Sequence, residues 1–160
     1  MEKRISYFTG LIVIVLIVLM ADYSISQDNK ATKKECEAKC KEAAALVKEI
    51  GLDATIKKIM EKNSSFVWKN TYVFSLELDS GTTLANPVTP GLIGVNVKKL
   101  KDINGKLFGV EFLNTAKTKG EGWVTYLWPK PGEKKPSSKM TYVYRVPNEN
   151  VIMLAGIYED

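Results

Sequence analysis

Three large aromatic side chains lie close together in one short segment, at Trp123, Tyr126 and Trp128. If the segment is a strand, Tyr126 and Trp128 share one face and Trp123 points to the other, because successive side chains alternate. Such residues suit the wall of a ligand pocket, since the ring packs on the ligand while the hydroxyl or N–H group orients it. Ordinary core packing uses the same residue types. The residues alone favour core packing, with a pocket as the alternative.

Groups that could perform catalysis are sparse. The chain contains no histidine, which excludes Ser-His-Asp and Cys-His nucleophiles, a histidine general base and His-ligated zinc. No carboxylate pair, glycine-rich phosphate loop or metal cluster is recognisable in the sequence. Asp102, Asn104 and Gly105 match part of a calcium loop, but the later ligands and the bidentate glutamate are missing. We therefore predict a protein that is not an enzyme and that has no cofactor or metal.

The only cysteines, Cys36 and Cys40, are four residues apart. On a helix this spacing puts the Cα atoms about 6 Å apart, which is within disulfide range, but it aims the side chains poorly. Three interpretations stay open: small residues on a buried helical stripe, a local disulfide in an oxidising compartment, or cross-links to a partner subunit. A haem or redox site is disfavoured, because a second ligand pair and histidine are both absent.

The N-terminal segment, residues 1–26, has the pattern of a secretory signal peptide. Two basic residues stand near its start, residues 11–20 are an unbroken apolar run, and small residues occupy the −3 and −1 positions before Gln27. The mostly apolar stretch, residues 5–20, is shorter than the ~20 residues of a comfortable membrane span. We predict cleavage, with an uncleaved anchor through residues 5–20 as the alternative. Either way, residues 27–160 are expected to work in the periplasm or outside the cell.

Length and charge are those of one exported globular domain. The 160 residues suit a single domain after a leader, with 45% hydrophobic and 26% charged residues. The 23 Lys and Arg residues exceed the 18 Asp and Glu residues by five, but they form no run longer than two. Nucleic-acid readers more often cluster their basic residues on one element. The pattern predicts a solvated, lysine-rich surface and no nucleic-acid partner.

Hydrophobic periodicity predicts an α+β domain. Residues 27–63 are predicted to be helical with a break at Gly51, after which Asp53 caps the second helix. The first helix carries one apolar stripe, formed by Cys36, Cys40, Ala43, Val47 and Ile50. A third helix is predicted over residues 106–119, after a loop at 86–96. Five strands of one antiparallel sheet are predicted at residues 71–78, 82–85, 123–128, 140–146 and 151–157.

The order of several short motifs points to a family. They are Tyr72-Val73-Phe74, Leu84-Ala85-Asn86-Pro87, Asp102-Ile103-Asn104-Gly105-Lys106, Gly122 to Pro129, Lys139 to Val143, and Ala155-Gly156-Ile157-Tyr158. In this order they resemble the single Cache domain, an extracytoplasmic sensor of bacterial chemoreceptors and histidine kinases. The likeness covers about residues 31–158. It implies a PAS-like sheet with a long N-terminal helix laid against it, and a small ligand enclosed between the sheet and the loops crossing it.

The resemblance also implies a set of ligand contacts. It makes Lys139, beside the aromatic strand, the point charge for a small carboxylate, whereas Arg145 is a lower-ranked alternative. Asn86 stands where the family often has histidine, and its alternative role is to hold the turn before Pro87. The predicted ligand-binding residues are Tyr72, Phe74, Asn86, Trp123, Tyr126, Trp128, Lys139, Tyr142 and Tyr144.

Two functions follow as hypotheses. The first is a small-molecule sensor in signal transduction or chemotaxis, for a short carboxylate such as acetate, propionate, pyruvate or lactate. The alternative is a periplasmic structural or interaction protein without a ligand, which assembles through its N-terminal helix. A closed, partly polar cavity formed by the aromatic strand and Lys139, of a size for two to four carbons, favours the sensor. A filled cavity with this lysine in solvent favours the structural or interaction protein. A homodimer through the N-terminal helix is a further hypothesis.

Signalling members of the family continue into a second membrane span and an output domain, whereas this sequence stops at Asp160. We therefore expect a stand-alone form that works with a membrane-bound signalling partner.

Overall fold

Two adjoining helices precede a β-rich segment in the computed structural model, which describes residues 29–159. The predicted leader, residues 1–26, lies outside the described residues. The elements are α1 (Lys33–Ile50), α2 (Leu52–Met60), β1 (Val67–Trp68), β2 (Thr71–Glu77), β3 (Thr83–Ala85), α3 (Phe108–Lys119), β4 (Glu121–Pro129), β5 (Pro136–Arg145) and β6 (Val151–Tyr158). Two short 3₁₀ turns, Pro90–Leu92 and Val97–Lys99, lie between β3 and α3.

A capping box begins α1. The Thr32 side chain accepts a hydrogen bond from the Glu35 backbone N–H, and the Glu35 carboxylate accepts one from the Thr32 N–H. Gly51 separates α1 from α2 as predicted, with φ of 84° and ψ of 163°, a conformation that favours glycine. The predicted capping role of Asp53 is wrong. Gly51 directly precedes α2, and Asp53 lies in the first helical turn, where its negative charge complements the helix dipole.

The apolar stripe of α1 packs against the sheet of its own domain. Its buried residues are Cys36, Cys40, Ala43, Ala44 and Val47. These side chains are small, so the helix can lie close to β5 and β6. Ile50, which was predicted to extend the stripe, is 39% exposed because the helix ends there. The stripe is therefore used within the domain and is not an open surface for a second copy.

The sheet is antiparallel throughout, as predicted. Strands β2, β6, β5 and β4 follow one another across it, and both β1 and β3 pair with the other edge of β2. Five strands lie at their predicted positions, and the two-residue β1 was not predicted. The PAS-like α+β class with a long N-terminal helix on the sheet is confirmed. Strand β2 is buried on both faces instead of half-buried, because helices cover the two sides of the sheet.

The two faces of the sheet form separate cores. The α1 face takes its strand residues from Val73, Tyr142, Val151, Met153 and Ala155. The α3 face takes them from Tyr72, Phe74, Leu76, Val124, Tyr126, Val143, Ile152 and Leu154. Aromatic rings are concentrated on the α3 face, where the candidate site lies.

Candidate functional site

A cavity of about 30 Å³ lies on the α3 face. The sheet forms its floor, α3 forms one wall, and the loop between β3 and α3 crosses over it. Its lining residues are Tyr72, Phe74, Leu76, Thr83, Asn86, Leu92, Val97, Leu100, Phe108, Phe112, Tyr126 and Trp128. Five of the predicted ligand-binding residues, Tyr72, Phe74, Asn86, Tyr126 and Trp128, thus meet around one space.

Aromatic packing fixes α3 against this floor. The Phe108 ring stacks on Tyr126 with centroids 4.4 Å apart, and Phe112 meets the same tyrosine edge-on at 5.3 Å. Helix α3 also approaches the 3₁₀ turn at Val97 very closely, since a Cβ on Gly109 would lie 2.2 Å from the Val97 carbonyl oxygen. A glycine is therefore required for the helix to close this wall.

A second, more open cleft of about 240 Å³ adjoins the cavity. Val88 and Thr89 of the crossing loop form one side of it, and the β4–β5 hairpin forms the other. Tyr72 and Trp128 line both spaces. These two side chains therefore separate the inner cavity from an opening to solvent.

Lys139 is buried on the same face, with 1% of its surface exposed. Its ammonium Nζ lies 3.5 Å from the Tyr72 hydroxyl, 4.6 Å from the Tyr72 ring centroid and 4.9 Å from that of Tyr158. Aromatic faces attract a cation but do not replace an anion. No carboxylate among residues 29–159 forms an ion pair with Lys139.

Burial lowers the pKa of Lys139 from 10.5 to about 7, because the charged form loses its water. The thiol of Cys36, on α1, acts in the opposite direction. A lysine of this kind is close to half-charged at neutral pH. An anion bound beside it would favour the charged form and draw its pKa back upward.

Tyr72 and Asn86 extend this polar cluster toward the crossing loop. Burial raises the pKa of Tyr72 to about 12, and a side-chain hydrogen bond with Asn86 limits the rise. The Asn86 side-chain oxygen accepts a hydrogen bond of 2.8 Å from the backbone N–H of Thr89. Asn86 therefore holds the turn at Pro87, as its alternative role predicted, while its side chain also reaches the Tyr72 hydroxyl.

A second polar pair lies deeper on the α3 face. The hydroxyls of Tyr126 and Thr141 are 3.2 Å apart and both residues are buried. Burial raises the pKa of Tyr126, so this phenol stays neutral. The pair offers hydrogen-bonding capacity close to Lys139, because Tyr126 is the register partner of Lys139.

Three predicted ligand residues lie on the opposite, α1 face: Trp123, Tyr142 and Tyr144. The Trp123 indole N–H donates to Glu37 of α1 at 3.3 Å, and the Tyr142 hydroxyl donates to Glu121 at 2.6 Å. They therefore do not line the cavity on the α3 face. Residues an odd number of positions apart on a strand point to opposite faces of the sheet. Trp123 is three residues from Tyr126, and Tyr142 and Tyr144 are three and five residues from Lys139.

Arg145 is exposed and lies beside an open cleft formed with Asn148, Glu149 and Asn150, away from the cavity lining. It is not part of the cluster around Lys139. Arg145 was ranked below Lys139 as a carboxylate partner, and its position at the end of β5, outside the cavity lining, agrees with that order.

Several site residues were not predicted. Phe108 and Phe112 supply the α3 wall, and Thr141 and Tyr158 surround Lys139. Period-two spacing could have identified Thr141, which follows Lys139 on the same face. The sequence does not show that Phe108 and Phe112 would face the cavity, because the rotation of α3 about its axis depends on packing.

Both cysteines are free thiols and fully buried against the sheet. Of the three interpretations, the structure agrees with small residues on the stripe and contradicts the local disulfide between Cys36 and Cys40. Their burial also excludes a cross-link to a partner in this conformation. Burial raises the pKa of the Cys36 thiol to about 12, which makes it a poor nucleophile.

The loop that partly matches a calcium site has a structural role. The carboxylate of Asp102 accepts hydrogen bonds from the backbone N–H groups of Asn104, Lys106 and Leu127. It thereby ties the loop before α3 to β4. Across residues 29–159 no cluster of metal-ligating side chains occurs.

Within the described part of the chain, no helix combines the length and apolar character of a membrane span.

Comparison with known proteins identifies a common family. A family model described as "Cache domain" matches residues 14–160. Methyl-accepting chemotaxis protein McpP of Pseudomonas putida is 29% identical over 77 residues, which are 48% of this chain and 14% of that protein. The match thus spans only a small part of the relative's length.

Solved structures share the fold. A periplasmic sensor domain of a chemotaxis protein is 22% identical with a TM-score of 0.62, and the match covers 99% of this chain and 100% of that one. A methyl-accepting chemotaxis protein from Vibrio parahaemolyticus is 21% identical with a TM-score of 0.65, over 80% and 88% of the two chains. A Cache chemosensory domain described for its carboxylic acid recognition is 23% identical with a TM-score of 0.61, over 99% and 100%.

Proposed function

The chain belongs to the Cache domain family, and we propose that it is an extracytoplasmic sensor for a short organic carboxylate in signal transduction or chemotaxis. The family resemblance drawn from its sequence motifs is confirmed. Cache domains are extracytoplasmic ligand-sensing domains of membrane receptors, and the proposal adds the class of ligand. The observation that carries it is the buried Lys139, which has no ion-pair partner among residues 29–159.

A buried ammonium without an anion is unfavourable, because desolvation of a charge costs far more than an aromatic contact returns. A carboxylate that reached Nζ would offset that cost and could accept hydrogen bonds from Lys139 and from the Tyr72 hydroxyl. Lys139 is not among the residues that line the cavity, but its ammonium lies against Tyr72, which is. Apolar and aromatic side chains form most of the cavity wall. This combination favours a single carboxylate attached to a short apolar group.

The size of the cavity limits the ligand. A space of about 30 Å³ is comparable to the volume that one water molecule occupies in the liquid. An anion of two to four carbons would therefore require the lining side chains or the crossing loop to move outward. The adjoining cleft of about 240 Å³ provides the way in, past Tyr72 and Trp128.

Two further observations support the proposal. Lys139 is buried and does not face solvent, whereas the structural protein was expected to turn this lysine to solvent. A solved Cache chemosensory domain of the same fold is described for its carboxylic acid recognition.

Thermal unfolding with added ligands tests the proposal. The purified protein is melted with acetate, propionate, pyruvate, lactate, neutral amides and amines. A selective, concentration-dependent rise in Tm with carboxylates is expected, since a ligand that binds the folded state stabilises it. Lys139→Met should abolish the rise, whereas Lys134→Met, on the exposed hairpin, should retain it. A rise that survives in Lys139→Met, or no rise with any carboxylate, contradicts the proposal and favours the structural protein.

Transmission of the signal is proposed to involve α1. The backbone N–H of Ala31, just before α1, donates to the side chain of Asn70, two residues before Tyr72. Movement of β2 on ligand binding would therefore reach the start of α1. Hydrogen exchange should show changed protection in residues 31–36 with propionate. Unchanged exchange there contradicts this route.

We also propose a homodimer through the N-terminal helix and a membrane-bound signalling partner. Because the sheet covers the apolar stripe of α1, a dimer would use the polar, solvent-exposed side of the helix. Light scattering should then give a molecular mass that falls to the monomer value at high salt. A monomer at every concentration and salt level contradicts the dimer.

A further inference from the structure

We propose that Gly156 is the positioning residue that allows the Lys139 side chain to cross β6 and place its ammonium beside Tyr72. The inference depends on the proposed function only in treating this ammonium as the partner of an anion.

The order of the strands requires the Lys139 side chain to cross β6. Lys139 lies on β5 and Tyr72 on β2, and β6 runs between these strands. Neighbouring strands are about 4.8 Å apart, so the two residues belong to strands about 10 Å apart. The lysine nevertheless brings Nζ to 3.5 Å from the Tyr72 hydroxyl. Its side chain must therefore pass over β6.

The register shows where it passes. Thr141 of β5 pairs with Gly156 of β6. On the other side of β6, Val73 of β2 pairs with Ala155. Because the strands are antiparallel, the next position of this register sets Tyr72 opposite Gly156. Gly156 thus lies between the strand that carries the lysine and the tyrosine that receives it.

The space above Gly156 is already filled. A Cβ at this position would lie 2.7 Å from Cε of Lys139 and 2.5 Å from the hydroxyl oxygen of Thr141. Real Cβ atoms essentially never approach other heavy atoms closer than 3.0 Å. The other residues of β6 on this face are large, namely Ile152, Leu154 and Tyr158. Only at Gly156 does this face of β6 leave a gap through which the lysine stem can cross.

Backbone conformation does not explain this glycine. Gly156 is absent from the glycines with positive φ, so alanine would meet no backbone strain there. The constraint is steric and falls mainly on two side chains. The Cβ of alanine would also lie 2.9 Å from the Met140 carbonyl oxygen, a backbone atom that cannot move as freely as the lysine stem. Because the lysine stem is flexible, we expect it to yield and turn its ammonium away from Tyr72.

NMR titration of the Lys139 ammonium in Gly156→Ala tests this role without a ligand. The rings of Tyr72, Phe74 and Tyr158 surround this ammonium, and Cys36 of α1 influences it electrostatically from the other face of the sheet. In the native protein Lys139 is expected to titrate near pH 7. In Gly156→Ala it should titrate close to the ordinary lysine value of about 10.4, because the displaced ammonium regains water. Titration that stays near pH 7 overturns the proposal.

Gly122→Ala is the matched control. Gly122 is a strand glycine without positive φ, and its Cβ would lie 2.8 Å from the Thr115 side chain, in a place that does not touch Lys139. It should leave the Lys139 titration unchanged. An equal shift in both variants would mean that general loosening causes the effect, and this would overturn the proposal.

Propionate binding provides the second readout. Gly156→Ala should weaken it at least tenfold, and Gly122→Ala should change it less than twofold. If the native protein binds none of acetate, propionate or pyruvate, the proposed function fails while the titration still decides the role of Gly156. If Gly156→Ala does not fold, the Thr141→Ala/Gly156→Ala variant replaces it, because the added Cβ would also meet the Thr141 hydroxyl. If that variant folds, its Lys139 titration decides as above. If it does not fold, recovery of folding on adding Lys139→Ala supports the proposal, and continued failure to fold overturns it.

Discussion

The two faces of the sheet differ in what covers them: a closely packed helix on the α1 face, and a cavity and a buried lysine on the α3 face. On the α1 face, small residues such as Ala43 and Cys40 let a helix lie directly on the strands, and at the edge Glu37 and Glu121 accept hydrogen bonds from Trp123 and Tyr142. On the α3 face, large rings keep a cavity open and enclose Lys139 without a counter-ion among the described residues. We therefore expect the α3 face to contain the buried charge whose removal raises the stability of the domain.

Removing the buried ammonium should produce the largest effect. Lys139→Met replaces it with an apolar chain of similar length, so the free energy of unfolding at pH 7 should rise by up to about 5 kcal/mol, the equivalent of moving its pKa from 10.5 to about 7. Urea unfolding measures this change. The surface control Lys134→Met should stay within about 0.5 kcal/mol of the native protein. A destabilised Lys139→Met would mean that the lysine supports the fold and that the α3 face loses no stability by burying it.

A matched pair of phenylalanines separates packing from binding. Phe66 lies in the α1-face core and Phe112 lines the cavity, and both are almost fully buried. Alanine at either position should cost about 3–5 kcal/mol of unfolding free energy. Only Phe112→Ala should also change the propionate-induced shift in Tm. Equal effects on that shift would show that the two faces do not divide these roles.

The pH dependence of stability should report Lys139 between about pH 7 and 9. Its folded pKa is below its unfolded value of 10.5, so in this range the unfolded chain binds more protons and stability increases with pH. The increase should reach about 2–3 kcal/mol at pH 9 relative to pH 7. Above pH 9 stability should begin to fall with pH. The pKa values of Cys36 and Tyr72 are raised to about 12 in the folded protein, so there the folded chain keeps protons that the unfolded chain loses. Urea titrations from pH 6 to 9 should show the rise, and Lys139→Met should show a flat profile.

Loss of the α1 cap should have the smallest effect. Thr32→Ala removes the side-chain acceptor for the Glu35 N–H and should cost about 1 kcal/mol. Thr118→Ala, at an exposed position late in α3, is a suitable control and should cost less. Neither change should alter the titration of Lys139. A shifted Lys139 titration in Thr32→Ala would instead show that the start of α1 is coupled to the α3 face without ligand.

Local rules accounted for most of the fold. The α1 stripe, the break at Gly51 and five of the strands follow from spacing and from glycine chemistry, which depend on near neighbours in the chain. One error was local: Asp53 does not cap α2, because Gly51 already precedes the helix and Asp53 lies in its first turn. The other was the unpredicted β1, which forms because β2 presents an edge for it to pair with.

The candidate site divides in the same way. Alternation along β4 correctly separated Trp123 from Tyr126 and Trp128, whereas the prediction for Tyr142 and Tyr144 ignored their odd spacing from Lys139. That Lys139 is buried could not be predicted from the residues, because its burial depends on Tyr158 and on the rings of β2.

The sequence by itself determined the class of fold, the family and the identity of the aromatic strand, since these depend on period, turn residues and motif order. Only the tertiary structure decided which face holds the cavity, how the lysine crosses β6 at Gly156, and that both cysteines are free thiols. Those features depend on strand order and on the distances between residues far apart in the chain. No local pattern of residues encodes such distances.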